Sequence, residues 1–404
     1  MVQKSAIEIQ MSRISGKDAR EGDFVWGKPD LAYMHDILGP MAMDSFKRIG
    51  KAEPGFKGKV IIVNDHIFPP KDAASANNIK NMVENAERNG WTTIPYGEGI
   101  EHTLMIENGM IKPGMVVVGT DSHTVTAGAA GAFGIGLGST DMGALIALGK
   151  IWFKVPETMY FHVSGEKGPY ITGKDVILEI LRIIGVNGAN YRAMEIIEDV
   201  ECKLSLDDDL AAANMTVEAG AKTCLIRNEN NPMHHSLADT EMTSDPIEVD
   251  LSELTPRISA PYSPGNVIDG FKLDGKKIDQ AYIGNCANGT ISDLRQAASV
   301  LKGERVAHGV KLVVVPATRS IYRQAIREGL VDIFLEAGAT VGPSTCGACA
   351  GLHMGVLAAN ERCITNVNRN FRGRMGDPSS EVYLANTYVV AMSAVNGKIT
   401  VPGD

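Results

Sequence analysis

Cysteine is scarce in this sequence, with six in 404 residues. That is too few for a disulfide scaffold, so cysteines that cluster read as metal ligands or catalytic groups. No apolar run approaches the ~18 residues of a membrane-spanning helix. The opening stretch, MVQKSAIEIQMSRISGKDAREGD, has no apolar core followed by a small-residue cleavage site, which argues against a secretory signal. The expectation is a cytoplasmic protein. An excess of positive charge is missing too: Lys and Arg number 39 against 48 Asp and Glu, for a formal net charge of −9. Nucleic acids and anionic membranes reward clustered cations, so neither is expected as a partner. A small anionic substrate stays compatible, because a pocket can be locally basic. What is abundant is glycine, at 43 residues, which implies many tight turns.

The length calls for two or three domains. Short β-branched runs alternate with helical stretches, the pattern of an α/β architecture. Expected strands are 59–63 (KVIIV), 115–119 (MVVVG), 280–284 (QAYIG) and 311–316 (KLVVVP), apolar throughout as in a parallel sheet buried on both faces. Expected helices are 73–89, 141–153, 173–185 and 319–337. The stretch 155–170 reads as a junction and 228–264 as loop or linker. Division near 155 and 278 gives three units, 1–154, 155–278 and 279–404.

Three strands run directly into chemically loaded sequence: Asn64-Asp65-His66, Thr120-Asp121-Ser122-His123-Thr124 and Asn285-Cys286-Ala287-Asn288-Gly289. Open α/β sheets bind ligands beyond the carboxyl ends of their strands. An Asp paired with a His fixes its tautomer and raises its basicity, and such a pair can protonate a leaving hydroxyl. His102 is a third histidine of this kind. Cys346-Gly347-Ala348-Cys349 is a C-x-x-C in a turn-rich setting, with Cys286 well upstream at a strand end. Three cysteines on a four-iron cluster would leave one iron open. A redox pair and half of a zinc site remain alternatives on spacing alone. Cys202, Cys224 and Cys363 have no close partner and read as small buried residues. The run Asn368-Arg369-Asn370-Phe371-Arg372-Gly373-Arg374 concentrates guanidinium groups that bind carboxylates, although a solvated basic loop is the plainer reading.

Taken together, these blocks resemble the aconitase family. Those that carry the resemblance are DH at 65–66, Gly99-Ile100-Glu101-His102, TDSHT at 120–124, GSTDM at 138–142, NMTVEAGA at 214–221, GNCANG at 284–289, CGAC at 346–349 and NRNFRGR at 368–374. The resemblance implies a three-domain α/β/α architecture around one [4Fe–4S] cluster on Cys286, Cys346 and Cys349. It implies dehydration of a 2-hydroxy di- or tricarboxylic acid and rehydration at the neighbouring carbon. His66 with Asp65 then matches the acid, and His102, Asp121 and His123 the groups around the leaving water. Asn214 and Glu218 match residues that reach the open iron. Ser122, Asn288, Asn368, Arg369 and Arg374 match groups that bind substrate or flank the cluster.

The chain stops thirty residues after Arg374. This implies the two-subunit branch of the family, in which a small subunit carries the swivelling domain and its base, as a heterodimer or heterotetramer. His35-Asp36, in place of a substrate-contacting Gln, weighs against citrate. The expected substrate is 3-isopropylmalate, with homoaconitase or a 2-methylmalate or 2,3-dimethylmalate dehydratase as the alternative. Readings from other classes are an RNA-binding iron sensor, which the acidic charge disfavours, and a structural zinc protein.

Overall fold

The structure, a computed structural model, describes residues 4–51, 53–228, 230–231, 240 and 242–403. A five-stranded sheet lies nearest the N-terminus. Its order is Thr92–Thr93, Lys59–Val63, Leu31–His35, Val116–Gly119, Phe133–Gly136, and every pairing is parallel. Leu31–His35 is therefore central, and its two neighbours are the strands that run into Asp65-His66 and Asp121. Lys59–Val63 and Val116–Gly119 are buried along nearly their whole length, because helices and a second sheet cover both faces.

The second sheet is also parallel, in the order Thr223–Asn228, Ala193–Glu198, Thr158–Ser164, Ile247–Asp250. The third has seven strands, in the order Val267–Asp269, Arg257–Ser259, Glu381–Leu384, Arg362–Thr365, Gln280–Gly284, Lys311–Val315, Thr340–Val341. One buried apolar cluster joins these three sheets, including Tyr33 and Val117 of the first, Phe161 and Ile196 of the second, and Tyr282 and Leu384 of the third. Their site-bearing ends are thus locked together by shared packing.

Four expectations need correction. The 155–170 stretch is not a junction: Thr158–Ser164 is an interior strand of the second sheet. The helix expected to reach 153 is Ser139–Leu148, and Gly149 at φ 77° ends it. Ile151–Lys154 then forms a strand antiparallel to Phe24–Gly27. The single helix over 319–337 is two, Arg319–Arg327 and Leu330–Ala337, separated at Gly329 with φ 74°. The 228–264 stretch contains two strands, Ile247–Asp250 and Arg257–Ser259, while 229, 232–239 and 241 lie outside the described residues. Arg257–Ser259 and Val267–Asp269 pair into the third sheet, upstream of residue 278.

Helix starts near the site carry side-chain caps. Thr172 and Asp175 form a reciprocal capping box on Gly173–Ile184, and Ser205 and Asp208 do the same on Leu206–Met215. Each cap contributes about 1 kcal/mol and fixes where its helix begins. That matters here, because Lys174 sits in the first turn of one helix and Asn214 in the last turn of the other.

Candidate active site

Three adjacent strands of the first sheet deliver His35-Asp36, Asp65-His66 and Asp121-Ser122-His123 to one edge. The buried Asp65 carboxylate accepts from the Glu101 backbone N–H at 2.8 Å and pairs with His66 Nδ1 at 2.7 Å. His66 Nε2 lies 3.5 Å from Asp121 Oδ2. Asp36 accepts from the backbone N–H groups of His66 (3.2 Å) and Ile67 (3.1 Å), which pins the loop. Burial disfavours a charged His66. The negative surroundings of Cys346, Asp65 and Asp121 outweigh it and hold the imidazolium well above the usual histidine range. Asp121 is held well below the usual carboxylate range: His102, His123 and His66 overcome the cost of its burial.

His102 and His123 flank Asp121 from behind. Asp121 Oδ1 stands 3.2 Å from both His102 Nε2 and His123 Nδ1, and it accepts the His123 backbone N–H at 2.7 Å. Tyr33 Oη holds the other nitrogen of His102 at 3.2 Å. His123 Nε2 reaches Glu218 Oε1 at 3.2 Å, and Arg369 Nε donates to that same oxygen at 2.5 Å. A second Arg369 nitrogen donates to Ser122 Oγ at 2.8 Å. The second and third sheets are thereby tied to the first through one carboxylate.

The cysteines come from the third sheet. Gly284 adopts φ 119°, and a Cβ there would meet the Val315 carbonyl oxygen at 1.9 Å, so only glycine fits before Cys286. Asn285 follows at φ 105° and clamps the loop, donating to the Cys346 carbonyl at 2.9 Å while its side-chain oxygen accepts from the Cys286 N–H at 2.6 Å. Thr103 donates to the Cys286 carbonyl. Cys346 and Cys349 are joined by a backbone turn, Cys349 N–H to Cys346 O at 3.2 Å, and Cys346 N–H donates to the Asp65 carbonyl at 3.0 Å. All three cysteines are buried and free.

Two amides aim at Cys286: Asn368 Nδ2 donates to its Sγ at 3.1 Å and Asn214 Nδ2 at 3.4 Å. The buried Oδ1 atoms of both amides have no partner. Burial pushes the Cys286 thiol up to about 12, with Cys349 adding to the effect. The His/Cys/Asp/Glu groups that converge within 4.8 Å among the described residues are His35–His66–Asp121, Asp65–His66–Cys346 and His102–Asp121–His123. The three cysteines are not such a set. Three thiols carried by two loops of the third sheet, with two amides donating to the first of them, fit a cluster.

A cleft of about 520 Å³ opens beside His66 and Asp121. His66, Asp121 and Ser122 line one side, and Arg369, Arg374 and Lys222 supply positive charge. Ile37, Leu38, Ile135, Leu137 and Leu352 add an apolar wall. The Arg374 Nε is buried without a partner.

The model of the family described as "Aconitase family (aconitate hydratase)" matches residues 8–246 and 266–397. The chain belongs to the aconitase family. Similar proteins include a 3-isopropylmalate dehydratase large subunit 2 of Rubrobacter xylanophilus, 46% identical over 98% of this chain and 97% of that one. A 3-isopropylmalate dehydratase large subunit 1 of Pyrococcus abyssi is 43% identical over 96% and 95%. Among solved structures, aconitase X of Thermococcus kodakaraensis superposes with a TM-score of 0.58 over 96% of this chain and 94% of that one. At 14% identity that likeness speaks for the aconitase-like fold alone.

Within this aconitase-family fold, His66, Asp121, Ser122, Arg369 and Arg374 line the cleft, with Asp65 directly behind His66. His102, His123 and Glu218 form a second layer, and Asn214 and Asn368 sit on Cys286. Asn288 is placed elsewhere: its amide donates to Asp293 at 3.3 Å, and it does not line the cleft. Sequence reasoning gave no role to Thr103, Thr126 (which accepts from Asn214 at 2.9 Å) or Lys174. It weighed His35 only as a departure from the family's pattern, whereas its ring stacks on His66 with centroids 4.1 Å apart and lines the cleft. For His35 the signal was present, since it ends a strand just as Asp65 and Asp121 follow theirs.

Proposed function

We propose that this chain is the large subunit of a 3-isopropylmalate dehydratase, a hydro-lyase that interconverts 2- and 3-isopropylmalate through an alkene. The carrying observation is the single cleft that joins an Asp-held imidazolium, two arginines and an aliphatic wall. A dicarboxylate with a branched alkyl group needs both kinds of wall, and citrate has no group for the apolar one. The relatives with the same printed name support the choice of substrate.

Cys286, Cys346 and Cys349 would hold one [4Fe–4S] cluster, with Asn214 and Asn368 donating to the first sulfur. When bound, the cluster supplies a Lewis acid at its cysteine-free iron, which eases departure of a hydroxyl group. His66 delivers the proton to that hydroxyl from Nε2, while Asp65 holds Nδ1 and Asp121 steers the ring. Arg369 and Arg374 grip the carboxylates, and Ser122 positions Arg369. Glu218 keeps Arg369 and His123 in register. The reaction also needs a base for the carbon that loses its proton. In this reading that base comes with a small subunit carrying the swivelling domain, in a heteromeric complex in the cytoplasm. Three units, built around the three sheets, meet at this cleft. No helix among the described residues is long and apolar enough to cross a membrane.

The test is complementation. The chain reconstituted with iron and sulfide should be inactive alone and should turn over 3-isopropylmalate once a matching small subunit is added. Robust turnover without the second polypeptide would overturn the two-subunit reading.

A further inference from the structure

Lys174 is fully buried, with 0% of its surface exposed, in the first turn of Gly173–Ile184. A cation is out of place there, because the N-terminal end of a helix dipole repels positive charge. Its ammonium has no conventional counter-ion: among the described residues no carboxylate lies within 4.0 Å of Nζ. Instead Nζ donates to the Val367 carbonyl at 3.0 Å and to Met215 Sδ at 3.0 Å. Both contacts fall next to the amides on Cys286. Val367 precedes Asn368, and Met215 follows Asn214. Thus one side chain joins the two segments that present their N–H groups to the same sulfur. Burial drags the ammonium down to about 8, while Cys286, Asp293, Cys349 and Asp175 pull the other way.

We propose that Lys174 is a positioning residue for the cluster: a buried cation that ties the Asn214 and Asn368 segments together and offsets the negative charge of the ligated cysteines. This rests on the cluster reading above. A buried ammonium without a carboxylate is tolerable where thiolates and sulfide supply the opposite charge. It also explains why the lysine sits behind the site, away from the cleft, where it cannot touch substrate.

The test compares wild-type chain with Lys174→Met and Lys174→Gln, each reconstituted anaerobically. Met keeps the stem and removes charge and donor; Gln removes the charge but keeps a donor, on a stem one atom shorter. Reduction potential and the half-life of the brown colour in air are the readouts, with urea unfolding of the metal-free chain as control. The expected result is a more negative potential in both variants and cluster loss about 10-fold faster. The metal-free Met variant should be as stable as wild type or more so, since a buried charge has gone. Should Met fail to fold, Gln carries the comparison alone. Unchanged potential and half-life in a folded variant overturn the proposal. Colourless wild-type chain after reconstitution would instead overturn the cluster reading on which it rests.

Discussion

Glu218→Gln is the sharpest perturbation of the site that needs neither metal nor partner. Glu218 Oε1 takes Arg369 Nε at 2.5 Å and faces His123 Nε2 at 3.2 Å, and only 4% of its side chain is exposed against 19% for Arg369. The pair is therefore poorly screened. Removing one partner of a buried pair costs about 3–5 kcal/mol, because the other charge is left uncompensated. Gln retains an oxygen that can still accept from Arg369, so the expectation is the lower end, about 3 kcal/mol at neutral pH. Urea unfolding of the metal-free chain would read this as a lower midpoint with an unchanged slope. The pH dependence adds a second check. Burial raises the Glu218 carboxyl, but His123 and Arg369 outweigh it, and the group sits below its ordinary range. A depressed carboxylate stabilises the fold above its unfolded pKa, about 4.3, and that stability is lost as pH falls through the folded value. The gap between wild type and variant should therefore be full at pH 7 and shrink below about 4.3. A difference under about 1 kcal/mol at pH 7, the size of an exposed ion pair, would refute the claim that this carboxylate locks the sheets together.

Further outcomes follow from the same geometry. His66→Ala should keep the brown cluster colour and lose turnover by about 10²–10⁴-fold, the usual contribution of a positioned acid. Because His66 is held well above the ordinary histidine range, the acid form should persist through neutral pH, and kcat should fall only on the alkaline side, past the free-imidazole range. Cys349→Ser should abolish the cluster, whereas Cys363→Ser, at a buried cysteine in a strand of the third sheet, should retain iron and sulfide at wild-type levels.

Much of this arrangement was legible in the sequence where a local pattern had one physical meaning. Lys59–Val63 and Gln280–Gly284 were expected with their observed bounds, because runs of buried β-branched and aromatic residues suit a two-faced parallel strand. The strand Thr158–Ser164 was hidden. Its alternating burial leaves Met159, His162 and Ser164 half-exposed, and Pro156 and Gly165 at its ends resemble a junction. The run at 151–153 fitted a helical face as well as a strand, and Gly149 was the overlooked stop signal. In the site, Asp65-His66, Asp121 and Cys286 stood out because each follows a strand, and Cys346 and Cys349 because of their C-x-x-C spacing. Lys174 and Thr103 did not, because their significance comes only from distant partners, Val367 and the Cys286 carbonyl. Asn288 shows the opposite error. The family resemblance suggested a site role, yet its amide donates to Asp293.

The most direct test of the central claim is a ranking of substrates. The reconstituted chain, combined with a small subunit of the matching type, would be assayed for kcat/KM with 3-isopropylmalate, 2-methylmalate, homocitrate and citrate. The aliphatic wall formed by Ile37, Leu38, Ile135, Leu137 and Leu352 predicts that 3-isopropylmalate leads. Burying its branched alkyl group is worth about 1–3 kcal/mol, or 10–200-fold, over a substrate without one. Equal or better turnover of citrate or homocitrate would contradict the assignment of that wall, and with it the proposed substrate.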